Sequence, residues 1–298
     1  MRYLHLDVFT SRPLEGNQLA MFPDPGNLST GQMQAIAREM NFSESTFIYP
    51  PEGDGDVRMR IFTPGGELPI AGHPTIGSTF GLVIEGVIAR ERRDFVFELG
   101  VGPTPVTLEW SGDELAFAWM TQPRPTFGPT IGDRAALARA IGVEEHDLVA
   151  SLPVQLVSCG VPYLLVPLVS RTAVDAVSVE RHGFARCCRE AGIDETPGFF
   201  FTTGIGSVNE AAYSRMIGPG LGITEDPATG SAAGPLGCYL LRHGAVPAEQ
   251  AREMVNLQGV AMGRPSRIHI SIDGTPDDIT RVRVGGRSVL VGRGELTF

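Results

Sequence analysis

The sequence contains no lysine, because all 24 of its basic residues are arginine. Pyridoxal enzymes, Schiff-base aldolases and Walker-type phosphate loops each need a lysine nitrogen at the reacting group. These three kinds of chemistry are therefore excluded.

Positive charge is also scarce overall, since 34 acidic residues give a formal charge of −10 at pH 7. A surface with a net negative charge repels phosphate backbones and acidic membranes, so nucleic acid is not an expected partner.

Long apolar runs and clustered metal ligands are also missing. No stretch reaches the roughly 18 consecutive apolar residues of a transmembrane helix, and the first residues alternate between polar and apolar, unlike a signal peptide. We therefore expect a cytoplasmic protein with no membrane partner. The four cysteines show no C-x-x-C spacing, and the six histidines form no H-x-H or H-E-x-x-H pair. Neither a disulfide framework nor a metal site is expected.

The length of 298 residues, with 42% hydrophobic content, is enough for two domains of ordinary size. Strand-like runs alternate with fewer helical ones, which predicts a mixed α and β fold. Between the halves, the segment 121–130 contains three prolines and a glycine, which disfavour both a helix and a central strand. We place the boundary there and predict domains over 1–121 and 122–298. The last strand, at about 288–298, could instead join the first domain.

Capping residues mark the starts of two helices. Ser29 is followed three residues later by Gln32, which is the pattern of a capping box, and predicts a helix that runs to about Met40. Asp133 is typical of an N-cap and predicts a helix over 134–141.

The two halves of the sequence contain similar segments in the same order. These are 60–65 and then 72–78 in the first half, and 215–220 and then 226–231 in the second. A strand-like segment with aromatic residues precedes each pair, at 44–49 and at 197–201. Short segments rich in glycine and proline often match by chance, but the shared order and spacing favour two similar domains.

Each pair of segments leads into an apolar stretch with helical character, at 75–85 and at 228–242. A helix that is apolar on all sides is buried, so we expect each one to lie inside its own sheet. Pro235 lies within the second stretch, where it removes one backbone hydrogen bond and is expected to kink the helix.

The turns that open these helices are candidate anion sites. A helix N-terminus exposes unpaired N–H groups and the positive end of the helix dipole. Gly72 and Gly230 allow a close backbone approach, and Ser231 adds a hydroxyl donor. Two such turns facing each other would bind a small carboxylate, although ordinary capped turns have the same composition.

Three residues near these turns form a candidate acid and base set. His73 and Asp226 lie in or beside the turns, and Glu44 lies upstream among apolar residues. A carboxylate in a partly apolar cleft has its pKa raised toward neutrality, where it can both accept and return a proton. Each residue alone is weak evidence, because most single glutamates are solvated and most single histidines are structural.

Taken together, the sequence resembles the PhzF-like phenazine biosynthesis family over nearly its whole length. The segments that carry the resemblance are Asp7-Val-Phe-Thr, Gly16-Asn17, Leu19-Ala20, Glu44-Ser-Thr-Phe, Gly72-His-Pro-Thr-Ile-Gly, Glu225-Asp-Pro-Ala-Thr-Gly-Ser, Gln258-Gly, Met262-Gly-Arg-Pro-Ser and Val284-Gly-Gly. The resemblance implies a diaminopimelate-epimerase-like α+β fold, in which two similar domains each wrap a β-barrel-like sheet around a central helix. The site is then expected between the domains.

The same resemblance implies a cofactor-independent isomerase that shifts a proton within a small carboxylate, expected to be cyclic, as trans-2,3-dihydro-3-hydroxyanthranilate isomerase does. Glu44 matches the proton-carrying base of the family. His73, Asp226 and Ser231 match its polar surroundings, and Gly72 and Gly230 match its backbone contacts. Homodimers are usual in the family, so a homodimer is expected.

One departure separates the sequence from the epimerases and racemases of the wider superfamily. Those enzymes use two cysteines, one in each glycine-rich turn, whereas Ala71 and Pro227 occupy roughly these places here. A stereoinversion by two thiols is therefore disfavoured. Two alternatives to an isomerase remain open: a lyase or dehydratase that uses the same base, and a non-catalytic protein that binds a small molecule.

Overall fold

The computed structural model describes residues 1–193, 198–207, 210–218 and 223–297. Within these residues the helices are α1 (Thr30–Met40), α2 (Gly72–Ile84), α3 (Arg134–Ile141), α4 (Arg171–Ala176), α5 (Arg181–Glu190) and α6 (Gly230–Arg242). A 3-10 turn covers Glu145–Asp147. No helix in the described part of the chain is both long and apolar enough to span a bilayer.

The described ranges also contain 18 strands, so strands outnumber helices as expected. They are β1 (Arg2–Val8), β2 (Asn17–Phe22), β3 (Glu44–Tyr49), β4 (Val57–Phe62), β5 (Glu67–Leu68), β6 (Asp94–Leu99), β7 (Gly102–Ser111), β8 (Glu114–Gln122), β9 (Thr126–Ile131), β10 (Val154–Ser158), β11 (Pro162–Pro167), β12 (Gly198–Ser207), β13 (Glu210–Gly218), β14 (Ile223–Asp226), β15 (Met254–Gln258), β16 (Ser266–Gly274), β17 (Ile279–Gly286) and β18 (Ser288–Glu295).

Both predicted helix starts are confirmed. The Ser29 side chain accepts a hydrogen bond from the Gln32 backbone, the Gln32 side chain bonds back to Ser29, and α1 ends at Met40. At the start of α3, the Asp133 carboxylate accepts from the backbone N–H of Ala136 at 2.8 Å. Local capping chemistry therefore fixes these two boundaries without help from tertiary contacts.

The sheet consists of two runs of strands with the same pairing pattern. In the first run, β1 pairs antiparallel with β2, β2 parallel with β3, β3 antiparallel with β4, β4 parallel with β6, and β6, β7 and β8 pair antiparallel in series. The second run, from β10 to β17, repeats each pairing in the same order. The short strands β5 and β14 lie at equivalent places, on β4 and β13. The duplication seen in the sequence is therefore present in the topology.

The strand that follows each run along the chain pairs with the first strand of the other run. β9 follows the first run along the chain but pairs antiparallel with β10, whereas β18 follows the second run and pairs antiparallel with β1. A further antiparallel pair, β8 with β17, joins the two runs directly. We propose the division into 1–121 and 122–298 with β18 assigned to the first domain, and its pairing with β1 supports that assignment.

The proline-rich segment between the halves contains more strand than its composition suggests. β8 extends to Gln122, and β9 begins at Thr126. β9 pairs on one side only, with β10, and its register shifts between the partners Gln155 and Val157. Proline is tolerated on an edge strand and at a bulge because no ladder hydrogen bond is lost there.

The helices α2 and α6 are the buried centres of the two runs, as expected. Each has 13 residues, and in α2 every residue from Gly72 to Leu82 is buried. α2 packs against β1 and β18 at one end of the first run and against β8 at the other end. α6 packs against β10 and β11 at one end of the second run and against β16 and β17 at the other end. Each run of strands therefore curves around its own helix. The helices begin at Gly72 and Gly230, which corrects the expected starts at 75 and 228, and α6 continues through Pro235 without a break.

The outer faces of the sheets are covered by the remaining helices. Phe22, Phe47 and Phe62 form an aromatic cluster beneath α1, with the first two rings stacked at 4.9 Å. On the second run, α3, α4 and α5 enclose a separate apolar cluster around Phe184. The segment 197–201, expected to be a strand, contains the start of β12, but Pro197 lies outside the described residues.

Glycines on α2 are required by its close packing, which gives a direct test. A Cβ atom at Gly77 would lie 2.6 Å from the side chains of the fully buried Val8 and Leu19. We predict that Gly77→Ala lowers the free energy of unfolding by about 1–3 kcal/mol, although alanine favours a helix.

Gly31 in α1 is the matched control, because nothing lies within 4 Å of a Cβ placed there. Gly31→Ala should leave the stability unchanged or raise it by up to about 1 kcal/mol. Urea denaturation measures both effects. Equal stability changes in the two variants would contradict the packing of α2.

Candidate active site

The N-termini of α2 and α6 meet in direct backbone contact at the junction of the two runs. A Cβ atom at Gly72 would lie 2.6 Å from Gly230 Cα and 2.8 Å from the backbone nitrogen of Ser231. No side chain fits between the helix ends, so glycine is needed at this position. The backbone N–H groups of 72, 73, 230 and 231 form no hydrogen bond with the described residues. Two positive helix ends with free donors therefore converge at one place.

A cavity of about 380 Å³ opens at this convergence, between the two halves. Its wall contains all six residues predicted as catalytic or binding residues: Glu44, Gly72, His73, Asp226, Gly230 and Ser231. Apolar side chains such as Val161, Leu68 and Met216 complete much of the remainder. Among the described residues that line the cavity there is no arginine, and the chain has no lysine. A bound anion would therefore be held by backbone donors and hydroxyl groups.

Glu44 lies at the start of β3, where it is 7% exposed. Its Oε2 is 3.1 Å from His73 Nε2, but the two atoms are not aligned for a hydrogen bond, and neither has another partner. Burial, followed by the negative charge of Asp226, raises the pKa of Glu44 well above its ordinary value. A carboxylate with no stabilising donor is a stronger base than an ordinary glutamate.

His73 is neutral, because burial lowers its pKa to about 3 against an opposing hydrogen bond with the Gln18 backbone. Its Nδ1 is 3.1 Å from Asn17 Nδ2. The two hydrogens of that amide are donated to Asp226 and to a backbone carbonyl. We therefore assign the imidazole hydrogen to Nδ1, which leaves the Nε2 lone pair facing Glu44.

Asp226 has the opposite surroundings, since its carboxylate accepts three hydrogen bonds. Oδ1 accepts from Asn17 at 2.8 Å and from the Ser43 hydroxyl at 3.0 Å, and Oδ2 accepts from the Thr229 hydroxyl at 2.5 Å. Burial raises the pKa of Asp226 to about 6, and these three hydrogen bonds oppose the rise. Asn17 and Ser43 belong to the first half of the chain, so Asp226 also joins the two halves at the floor of the cavity.

The short segments before both helices are fixed by equivalent ion pairs. Arg60 on β4 donates two hydrogen bonds to Glu67 on β5, at 2.7 and 2.6 Å. Arg215 on β13 binds Glu225 on β14 in the same way, at 2.9 and 2.8 Å. Bidentate pairs of this kind fix geometry as well as adding energy. The two arginines of the repeated segments therefore hold the chain that leads into each helix.

Ser231 lies one residue inside α6, where its hydroxyl is 2.6 Å from the Tyr163 hydroxyl. Tyr163 is buried, lines the cavity from β11, and has its pKa raised mainly by burial. It therefore stays protonated. Because the helices begin at Gly72 and Gly230, Ser231 holds the position in α6 that His73 holds in α2.

The structure thus brings the predicted residues into one cavity, and it adds others that the sequence reasoning did not assign. Asn17 and Gln258 lie in segments that resemble the family, so a signal for them existed. Gln258 holds the turn that follows Asp226, because its Nε2 donates to the Asp226 carbonyl and to the Thr229 hydroxyl. Tyr163 had no sequence signal, because only the pairing of β11 in the sheet brings it to α6. Among the described side chains, no group of three or more histidine, cysteine or acidic residues is placed to hold a metal ion.

Comparison with known proteins agrees with this geometry. The family described as "Phenazine biosynthesis-like protein" matches residues 6–294. The chain belongs to this family. It is 38% identical, over 99% of both chains, to trans-2,3-dihydro-3-hydroxyanthranilate isomerase from Pseudomonas chlororaphis. Curated relatives across the family are named isomerases, and the present member is an isomerase of the PhzF type.

Solved structures confirm the predicted α+β fold of the epimerase-like class. A PhzF-family protein from Bacillus anthracis has a TM-score of 0.87 and 26% identity, covering 100% of this chain and 99% of that one. A probable proline racemase from Agrobacterium radiobacter has a TM-score of 0.67 at 12% identity, covering 99% and 92%, which shows a shared fold. In this PhzF-type chain, the described part of the cavity wall contains no cysteine.

The buried carboxyl groups make a prediction about stability. A carboxyl group whose pKa is raised by folding stabilises the fold below its unfolded pKa, and this contribution is lost as the pH rises through the folded pKa. Glu44 is such a group. We predict that Glu44→Gln raises the free energy of unfolding at pH 8 by about 0.5–2 kcal/mol, with a smaller gain at pH 5.

Glu98 is the matched control of opposite sign. Backbone N–H groups of Glu52 and then Gly55 lower its pKa, so its ionised form stabilises the fold above the unfolded pKa. Glu98→Gln should therefore reduce stability at pH 8. Chemical denaturation at both pH values measures the pair, and a loss of stability in Glu44→Gln at pH 8 would refute the assigned environment of Glu44.

Proposed function

We propose that this protein shifts a proton between two carbon atoms of a small, cyclic carboxylate, with Glu44 as the proton carrier. The observation that carries the proposal is the position of Glu44. Its unpartnered carboxyl oxygen lies on the wall of a cavity at which two helix N-termini converge. Acid and base chemistry and anion binding are thereby combined in one site.

The two carboxyl groups of the site have different roles because their surroundings differ. Asp226 accepts three hydrogen bonds, so its charge is stabilised and it serves as a fixed polar anchor. Glu44 Oε2 accepts none, and the charge of Asp226 disfavours its ionised form further. A group in that position removes a proton from carbon and also returns one readily, since its pKa is closer to the working pH.

The substrate carboxylate is proposed to bind at the free N–H groups of 72, 73, 230 and 231, assisted by the Ser231 hydroxyl. This arrangement needs no basic side chain, in keeping with the lining of the cavity. When Tyr163 donates its hydroxyl hydrogen to Ser231 Oγ, the Ser231 hydrogen is available for the ligand. The apolar wall would then contact the ring of the substrate.

The first candidate substrate is trans-2,3-dihydro-3-hydroxyanthranilate, on which the Pseudomonas relatives are named as acting. In the proposed reaction Glu44 takes a proton from one ring carbon and donates it to another, so the product has the same composition as the substrate. His73 is neutral because its pKa is lowered to about 3, so it does not compete with Glu44 for the proton. The reaction is proposed to need no cofactor, because Glu44 both accepts and returns the proton.

A homodimer and a cytoplasmic location remain predictions for this protein. The dimer is an expectation from the family resemblance, and light scattering of the purified chain tests it. Neither property enters the proposed chemistry, since every proposed group belongs to one chain.

Solvent isotope incorporation tests the proton transfer. We predict that the wild type, with the candidate substrate in D₂O, gives a product that carries deuterium at one ring carbon whenever the proton held by Glu44 exchanges with solvent before its return. Glu44→Gln keeps the shape of the side chain but cannot accept the proton, so its turnover should fall by about 10²–10⁴-fold. Unchanged deuterium incorporation in the variant would exclude Glu44 as the base.

The mass of the product separates the alternatives. An isomer has the mass of the substrate apart from deuterium, whereas a lyase or dehydratase product has lost a substituent. Binding of the substrate with no product from the wild type would favour a non-catalytic binding protein. Persistence of activity after dialysis against a chelator is expected from a cofactor-independent reaction.

The pH dependence of turnover tests the coupling between the carboxyl groups. Because Glu44 must be ionised to act as a base and its pKa is raised, the rate should fall on acidification at a pH well above the ordinary range of glutamate. Asp226→Asn removes the neighbouring charge, so the acidic limb should move to lower pH. An acidic limb that stays in place in Asp226→Asn would contradict the electrostatic coupling.

A further inference from the structure

A second cavity, of about 520 Å³, lies outside the active site. One wall is formed by the loop from Phe9 to Glu15, and the other by residues 257–269 together with Arg287. No residue is shared with the lining of the active-site cavity. The proposed isomerase chemistry leaves this cavity unexplained.

The charge of the second cavity is opposite to that of the protein. Three arginines line it, Arg12, Arg267 and Arg287, against a single acidic side chain, Glu15. The whole chain, by contrast, has a formal charge of −10. A concave site with a local excess of guanidinium groups concentrates field lines and attracts anions.

The three arginines of this cavity form few ion pairs with the described residues. Arg287 has no ion pair with any described residue, and Arg12 is 3.9 Å from Glu15, beyond hydrogen-bond distance. Arg267 pairs with Glu210 at 3.2 Å through one of its terminal nitrogens. Donors that suit the planar oxygens of a carboxylate or a phosphate therefore remain available.

The walls of the cavity are held in place by backbone contacts. Phe9 donates its N–H to the carbonyl of Arg287 and accepts from the N–H of Arg267, both at 2.8 Å. Arg264 joins the two walls, donating to the carbonyls of Gly16 and Glu15 at 2.7 and 2.8 Å. A site with a fixed backbone loses little conformational entropy on binding.

His269 adds a neutral donor at the base of this cavity. Its ring meets the ring of Phe117 edge to face at a centroid distance of 5.0 Å. Burial, followed by the charges of Arg267 and Arg287, lowers its pKa, against a smaller opposing effect of Glu109. The ring is therefore uncharged at neutral pH and offers one N–H group.

We propose that this cavity, lined by Arg12, Arg267, Arg287 and His269, is a second ligand site that binds a small oxyanion with two negative charges. Phosphate and dicarboxylates have this chemistry. The site is separate from the proposed active site, so its occupancy does not depend on isomerase activity. The ring of Phe9 reaches from this wall to Gly230 at the start of α6, which places the second site directly behind the first.

Isothermal titration calorimetry of the full chain with inorganic phosphate, at fixed ionic strength adjusted with chloride, tests the proposal. Fixed ionic strength is needed because exposed arginines are screened by salt. The wild type is expected to bind phosphate saturably. Arg287→Gln is expected to bind phosphate at least about tenfold more weakly. Since Arg287 has no native ion pair, this change should not disturb folding. A parallel titration with malonate shows whether phosphate or dicarboxylate geometry is preferred, and binding of either supports the site.

Arg293→Gln is the matched control, because it removes the same charge from an exposed position outside the cavity. It should bind phosphate as the wild type does. Histidine ring resonances in ¹⁵N-labelled protein then locate the ligand: phosphate should shift those of His269, and Arg287→Gln should abolish this shift without changing the response of His73 in the active site.

Three results would overturn the proposal. They are no phosphate or malonate binding by the wild type, equal binding by Arg287→Gln and wild type, and a shift of His73 in place of His269. A change from dimer to monomer in Arg287→Glu, without anion binding, would instead assign the cavity to a contact between two copies of the chain.

Discussion

The N-termini of α2 and α6 meet backbone to backbone at Gly72 and Gly230, and the functional part of the molecule depends on this contact. Two helix ends with the same sign of dipole repel each other in isolation. They are held together here by the sheets that surround each helix and by the strand pairs that join the two halves. The result is a concentration of free N–H donors that a single helix end does not provide.

The acid and base properties of the site follow from the same junction. Asp226 reaches across it to Asn17 and Ser43, and in doing so it becomes a carboxylate with three donors. Glu44 and His73 are enclosed beside it with one unpartnered atom each. Two carboxyl groups of similar intrinsic acidity thereby acquire different surroundings, because one accepts hydrogen bonds from the protein and an oxygen of the other accepts none. Burial alone would raise both pKa values, and the hydrogen bonds make the difference.

The exchange of β9 and β18 between the runs explains how two similar halves stay in register. Each half completes its sheet with a strand that follows the other half along the chain. Sliding of one half against the other would break both ladders and the β8–β17 pair at the same time. The equivalent ion pairs Arg60–Glu67 and Arg215–Glu225 show that the duplication extends to individual side chains. The arginines of the second cavity come from three places in the chain: Arg12 from the loop between β1 and β2, Arg267 from β16, and Arg287 from the link between β17 and β18.

Much of the local structure was determined by the sequence alone. The capping box at Ser29 and the N-cap at Asp133 fix helix starts, because the side chain and the backbone that it binds are three residues apart. The repeated arginine and glycine segments predicted two similar halves. The segments around Glu44, His73 and Asp226 indicated the family, and these three residues line one cavity in the structure.

Other features were decided only by the tertiary structure. The helices begin at Gly72 and Gly230, and not where their apolar character begins, because the position of each helix end is set by its contact with the other. Tyr163 reaches Ser231 through the pairing of β11, and two of the three partners of Asp226, Asn17 and Ser43, are separated from it by about 200 residues in the sequence. Such contacts leave no local pattern, since a pKa depends on burial and on donors supplied by distant strands. The sequence therefore determined which chemical groups are present, and the fold determined which of them are buried without a hydrogen-bond partner and which are given donors.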